Sequence, residues 1–185
     1  MTANYKQLLS AFRAKPKSVR NYFVDFSSLV EDYEWGVSVS YVFARIEAVK
    51  HTTLYCGIVK LHRCNSELTW EMLNKDHLSR GRFWDLFQVV FGKRVPQPIL
   101  DKLSSAEKMR DKVAHGKRQP DADIRTGLRD AFEFCEVFND FVYSVGGFRP
   151  FGDLRGFAGP REKLSKETTR WVLRGMGIPA KGPPA

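Results

Sequence analysis

The sequence predicts an all-α protein, an antiparallel bundle of four to five main helices. Its 185 residues are 43% apolar and 28% charged, a globular composition that supports a buried core. Apolar residues recur at steps of three and four along most of the chain, and no run alternates regularly enough to predict a strand. Glycine and proline interrupt this pattern at intervals that suit short links between helices.

The first predicted helix covers about residues 18–33. The second contains Val39 and carries two apolar stripes, which predicts a central helix or one that also packs against a partner chain. Shorter helices are expected to begin near Ser66 and near Ser79, and the second of these ends at Gly92.

Prolines mark the beginnings of the two remaining long helices. Pro96 and Pro98 suit the first turn of one helix, and Pro120 opens the other. The last helix is expected to end at the Gly146-Gly147 pair.

The positive charge is concentrated at the end of the chain. Residues 149–185 carry 8 basic and 3 acidic side chains, whereas residues 1–148 carry 22 and 18. We therefore expect a helical domain over 1–148 and a basic, Gly/Pro-rich appendage over 149–185. Leu164, Trp171 and Leu173 give the stretch from Glu162 to Arg174 an apolar face that suits a short helix, although Ser165 and the threonines that follow disfavour it. Pro179, Pro183 and Pro184 indicate a disordered end.

Composition argues against a membrane-spanning protein and against a secreted, disulfide-linked protein. The net charge is +9, and no apolar run approaches the ~18 residues of a membrane span. The N-terminus is polar and unlike a signal peptide, and three cysteines give no paired framework. We expect a cytoplasmic protein without a membrane segment, and its basic surface suits nucleic acid.

The most informative segment is the end of the helix that follows Pro98. Arg110 falls about 20° from Leu103, in the middle of the apolar face, where a cation is costly unless an anion meets it. His115 lies at the helix end, and Gly116 is placed to adopt the left-handed conformation. We expect the helix to unwind there, so that His115 swings back towards Arg110.

An arginine and a histidine in one cleft suit the cleavage of RNA, which carries its own nucleophile in the 2′-hydroxyl group. The histidine can transfer a proton, and the arginine can hold the phosphoryl oxygens. No metal is required. Since one histidine supplies half of an acid–base pair, a two-fold dimer would supply both halves.

The segment from Arg110 to His115 resembles the R-x4-H motif of HEPN domains, including the polar Asp111 after the arginine and the Ala-His-Gly ending. The resemblance covers about residues 18–146. It implies an all-α homodimer and, in the active members, a metal-independent endoribonuclease that serves as a toxin, an antiviral defence effector or an RNA-processing factor. It also implies that Arg110 and His115 are catalytic and that Asp111 supports them. Some members paired with a nucleotidyltransferase antitoxin have a tyrosine two residues after the histidine. This chain has Lys117 there, which argues against that particular regulation, and the resemblance leaves open which antitoxin or regulatory protein is the partner.

Four cations surround the motif and are predicted to bind RNA: Lys108, Lys112, Lys117 and Arg118. The alternative is that they are ordinary exposed residues. No cofactor is expected, because no nucleotide-phosphate loop motif occurs, and the histidines and cysteines match no metal-ligand spacing.

Simpler explanations exist for each motif residue. Arg110 can form a structural ion pair with Glu47 or Glu107, His115 can cap a helix, and Asp111 can be a solvated helix residue. The alternative function is a non-catalytic HEPN-like module that binds RNA, a nucleotide or a partner protein.

Overall fold

A computed structural model describes residues 4–180, which fold into nine α-helices with no β-strand among them. The predicted all-α class is therefore confirmed. The helices in chain order are α1 Asn4–Arg13, α2 Lys17–Tyr22, α3 Phe26–Asp32, α4 Trp35–Leu61, α5 Ser66–Lys75, α6 Arg80–Phe91, α7 Gln97–Ala114, α8 Asp121–Gly146 and α9 Lys166–Gly175.

The bundle is built around α4. This helix packs against α3, α5, α6, α7 and α8, and it buries Val42 and Ile46 on one stripe and Phe43 and Ile58 on another. A helix that is apolar on more than one side belongs in the interior. The prediction of a central helix is confirmed, whereas packing against a partner chain stays a prediction.

The helices α7 and α8 form the most extensive pairing in the bundle, an antiparallel hairpin joined by residues 115–120. Gly127 of α8 faces Met109 of α7, where an added Cβ atom would lie 2.6 Å from the methionine Cε atom. The small residue therefore lets the two helices approach closely.

Most helix boundaries lie where the sequence predicts them. Ser79 caps α6 by accepting a hydrogen bond from the Arg82 amide, and Gly92 ends that helix in the left-handed conformation. Pro96 and Pro120 are the N-cap residues of α7 and α8, and Gly147 ends α8 at φ 70°.

Three details of the helix prediction are wrong. The helix α1 was not predicted at all, although its Leu8 and Phe12 are buried. A turn at residues 23–25 divides the helix expected over 18–33 into α2 and α3. Ser165 favours rather than disfavours the last helix, because its hydroxyl group caps α9 by accepting a hydrogen bond from the Thr168 amide.

Residues 149–180 pack against the helical body. Phe151 and Leu173 are buried in the same core as the long helices, and α9 lies against α5. The domain boundary after residue 148 stays a prediction. Of the prolines predicted to be disordered, Pro183 and Pro184 lie outside the described residues, whereas Pro179 is described and lies between buried Ile178 and Ala180.

The loop of residues 149–155 is tied to the body at several points. Buried Asn139 of α8 donates to the Phe151 carbonyl oxygen (2.9 Å) and accepts from the Phe151 amide (2.7 Å). The Arg149 amide donates to the Arg155 carbonyl oxygen (3.0 Å), which closes the loop on itself. The Lys60 ammonium group donates to the carbonyl oxygens on either side, those of residues 147 and 156.

All three cysteines are buried and free. Burial raises the pKa of the Cys56 thiol to about 12 and that of Cys64 to about 11, and it raises the pKa of Cys135 as well. Between residues 4 and 180, no helix has the length and apolar character that crossing a membrane requires.

Replacing Gly156 with alanine is expected to lower the free energy of unfolding by about 1–3 kcal/mol. The residue has φ +90°, and an added Cβ atom would lie 2.5 Å from the carbonyl oxygen of Gly147. Urea unfolding followed by circular dichroism measures the change. The matched control is Gly159→Ala, where a Cβ atom meets nothing within 4 Å; that variant is expected to be as stable as the wild type or up to about 1 kcal/mol more stable. Equal stability of the two variants would contradict the close approach at residue 156.

Candidate functional site at the end of α7

The end of α7 is a well-formed helix terminus. His115 is the C-cap residue, and Gly116 follows it in the left-handed conformation at φ 67°. The Gly116 amide donates to the Val113 carbonyl oxygen, and the Lys117 amide donates to that of Lys112. This pair of hydrogen bonds is the Schellman motif. The predicted role of Gly116 is confirmed.

Arg110 is half-buried on the face of α7 that meets α4. Its guanidinium carbon lies 5.2 Å from the centre of the Phe43 ring, within the range of a cation–π interaction. Its Nε atom is enclosed and lies 2.8 Å from an Asp111 carboxylate oxygen, but the N–H group does not point at that oxygen. The contact is therefore an ion pair without a hydrogen bond.

The two terminal nitrogens of Arg110 have a different environment. Both keep contact with solvent, and neither donates a hydrogen bond to any residue in the described range 4–180. A guanidinium group held at one edge and open at the other can receive two oxygens of a planar or tetrahedral anion.

Asp111 connects Arg110 to a second arginine. Its carboxylate accepts hydrogen bonds from the Arg80 guanidinium of α6 at 3.3 and 3.2 Å. The same Arg80 approaches Glu107, with its Nε atom 3.2 Å from the carboxylate. Asp111 is about half exposed and lies between two cations, and it is not simply solvated.

Glu107 is the buried carboxylate of this region. The sequence left open whether Arg110 forms a structural ion pair with Glu47 or with Glu107. It pairs with Arg80 and, at 3.7 Å, with buried Lys50, which also bonds to Glu47 at 2.8 Å. Neither Glu47 nor Glu107 forms an ion pair with Arg110 among residues 4–180. Burial raises the pKa of Glu107, and the nearby Lys50 and Arg80 oppose that shift.

His115 is exposed, and its ring makes no hydrogen bond within the part of the chain that the structure describes. The helix ends at His115 as predicted, but the His115 amide still bonds to the Asp111 carbonyl oxygen, so His115 keeps its helical position and does not swing back towards Arg110. Five residues of helix separate Arg110 from His115, which places their side chains about 140° apart around the axis. The structure therefore brings Asp111 to Arg110 but leaves His115 on another side of α7.

The four cations predicted to bind RNA, Lys108, Lys112, Lys117 and Arg118, are all exposed. They lie on the last two turns of α7 and on the link to α8. No group of three His, Cys, Asp or Glu residues in the described sequence is arranged to hold a metal ion.

Replacing Glu107 with glutamine is expected to change how stability depends on pH. In the folded protein, burial keeps the Glu107 carboxyl group protonated to a higher pH than in the unfolded chain. The folded protein therefore binds more protons from about pH 4.3 up to the raised pKa, and the free energy of unfolding falls as pH rises through that window. Glutamine cannot ionise, so the stability of Glu107→Gln relative to the wild type should increase from pH 4 to pH 7.

Urea unfolding across this pH range measures the difference, and Glu31→Gln, which removes an exposed carboxylate, controls for the loss of one charge. A stability difference between Glu107→Gln and the wild type that stays constant with pH would contradict the predicted burial effect.

Comparison with known proteins gives no relative: no protein-family model, no curated protein and no solved structure matches this chain. The resemblance to HEPN domains therefore depends on the residues of α7 and on the order of the helices.

Proposed function

We propose that this protein is a metal-independent endoribonuclease of the HEPN type that acts as a homodimer. One observation carries the proposal: Arg110 has two terminal nitrogens open to solvent, on the same last turns of α7 that end in the exposed His115. A fixed cation and a free imidazole are the two groups that RNA cleavage by its own 2′-hydroxyl requires.

Each motif residue has a defined role in this mechanism. Arg110 binds the non-bridging oxygens of the scissile phosphate and opposes the negative charge that grows in the transition state. His115 removes the proton of the 2′-hydroxyl or donates one to the leaving 5′-oxygen. Asp111 acts on Arg110, because its ion pair at 2.8 Å restricts the rotation of the guanidinium group.

We expect the protein to dimerise through the end of α7. Within one chain the two side chains diverge by about 140°, so a site that uses both groups would combine Arg110 of one chain with the partner's His115. A two-fold axis near the end of α7 gives the dimer two equivalent sites, each of which combines Arg110 of one chain with the partner's His115. Lys108, Lys112, Lys117 and Arg118 then line the approach of the phosphate backbone.

A toxin, an antiviral defence effector or an RNA-processing factor would use this activity in the cytoplasm. In the first case an antitoxin or another regulatory protein would bind the dimer and cover the RNA-binding surface.

Incubation of the wild-type protein with mixed RNA in EDTA tests the proposal. We expect cleavage products without added metal, and light scattering should give the mass of a dimer. Absence of cleavage would overturn the proposal that the protein is a nuclease. If the protein instead binds RNA with an affinity that falls as salt is added, the non-catalytic module is the better description, and its basis would be the net charge of +9.

A further inference from the structure

A cavity of about 390 Å³ lies between α2 and the loop of residues 149–155. Its volume falls in the range of small-molecule sites, roughly 300–1,000 Å³. Apart from one proline, the residues that line it are polar: Lys17, Ser18, Asn21, Arg149, Asp153 and Arg155. None of these residues belongs to α7, so the cavity is independent of the proposed nuclease site.

The charge of the lining favours an anion. The lining includes three basic residues and one acidic residue, and within residues 4–180 neither Lys17 nor Arg155 forms an ion pair. Arg149 is held in place by Asp140 (3.0 Å) and by stacking of its guanidinium carbon 4.2 Å from the Tyr143 ring centre. Two of the three cations therefore have their full charge available to a ligand.

The loop that supplies half of the lining is fixed in its shape. Asn139 of α8 bonds to Phe151 within the loop, and Lys60 of α4 bonds to residues 147 and 156 on either side of it. Gly152 lies so close to α2 that an added Cβ atom would be 2.9 Å from the Ser18 Cβ atom. Leu154 adopts the left-handed conformation at φ 54°, which a leucine rarely does unless the surrounding structure imposes it. A site that is already ordered loses less conformational entropy on binding.

The polar groups also indicate what is attached to the anion. Asp153, Asn21 and Ser18 can accept hydrogen bonds from hydroxyl groups, in the way that a carboxylate accepts them from a ribose. No aromatic ring is among the lining residues of this cavity, so the site offers no stacking surface to a nucleobase. We propose that the cavity binds a small phosphorylated sugar, with Lys17, Arg149 and Arg155 on the phosphate and Asp153 on the hydroxyl groups.

Isothermal titration of the full chain with ribose 5-phosphate, ribose and inorganic phosphate tests this site. We expect saturable binding of ribose 5-phosphate, weaker binding of inorganic phosphate and none of ribose. Lys17→Gln and Arg155→Gln should each weaken binding of ribose 5-phosphate by about tenfold, the value of one charge-assisted hydrogen bond. Lys75→Gln is the matched control, because it removes an exposed cation of α5 outside the cavity and should leave the affinity unchanged.

Three results would overturn the proposal. The first is no saturable binding of ribose 5-phosphate to a wild-type protein that is shown to be folded. The second is an equal affinity of Arg155→Gln and Lys75→Gln, since it would place the ligand elsewhere. The third is equal binding of inorganic phosphate and ribose 5-phosphate, because the hydroxyl groups would then contribute nothing. A protein that fails to cleave RNA could still give any of these binding results. The nuclease proposal and the sugar-phosphate proposal therefore fail independently.

Discussion

Replacing His115 with alanine is expected to slow RNA cleavage by about 10²–10⁴-fold, the usual contribution of a general acid or base. The variant should fold normally, because the His115 ring is exposed and bonds to no residue between 4 and 180. Its stability should stay within about 0.5 kcal/mol of the wild type. Initial rates on a defined RNA in EDTA measure the first effect, and urea unfolding measures the second.

The matched control is His77→Ala, which removes another exposed histidine, in the link between α5 and α6. It should cleave RNA at the wild-type rate. Arg110→Lys provides a second comparison, since it keeps the charge but loses the two-nitrogen fork and should be nearly as slow as His115→Ala. Equal rates of RNA cleavage by His77→Ala and His115→Ala would show that His115 takes no part in the reaction.

Mixing two inactive variants distinguishes a site within one chain from a site shared between chains. Arg110→Ala and His115→Ala chains are each inactive alone, but a mixed dimer keeps one intact Arg110 and the partner's intact His115. Refolding the two together should restore about a quarter of the wild-type rate if dimers form at random, because half are mixed and each has one complete site. If nothing is restored while mixed dimers are present, the site does not combine groups from two chains.

Replacing Asn139 with alanine is expected to lower the free energy of unfolding by about 2–5 kcal/mol. Asn139 is buried, and its side-chain amide satisfies both the N–H and the C=O group of buried Phe151. Truncation removes two hydrogen bonds and leaves both backbone groups without a partner. Urea unfolding measures the loss, and hydrogen exchange at the Phe151 amide should become faster.

Asn74→Ala is the control, because Asn74 is exposed on α5 and its replacement should change stability by less than about 0.5 kcal/mol. A loss at Asn139 no greater than that at Asn74 would show that the loop is not anchored there. Asn139→Ala should also weaken the binding of ribose 5-phosphate, since it frees the loop that carries Arg149 and Arg155.

The sequence predicted the helices that begin and end on local signals. Ser79, Pro96 and Pro120 act on the first turn of their own helices, and Gly92 and Gly116 act on the last, so a short window of sequence contains the information. The break between α2 and α3 has no such signal. It depends on Phe23 and Phe26, which pack edge-on against Phe132 from a distant part of the chain. The burial of Phe151 in the core was likewise not predicted. It depends on hydrogen bonds with Asn139 of α8, and no local sequence pattern specifies that contact.

The sequence predicted which residues form the candidate site, but it predicted only some of the contacts between them. Helical spacing predicts that Arg110 approaches the core, and the structure shows it half-buried against Phe43. The ion pairs of α7 with Arg80 and Lys50 involve α6 and α4, and no sequence pattern specifies which cation meets which carboxylate. The buried position of Glu107 could have been suspected, because it lies four residues after buried Leu103 on the same face.

The burial of the three thiols has a practical consequence. Alkylating reagents attack the thiolate, and Cys56, Cys64 and Cys135 are protonated and enclosed in the native protein. A single cysteine introduced on the solvent side of α7, such as Lys112→Cys, would be the fast-reacting position for a nitroxide label. Electron spin resonance on the labelled protein would then report the separation of two copies of α7 without prior removal of the native cysteines.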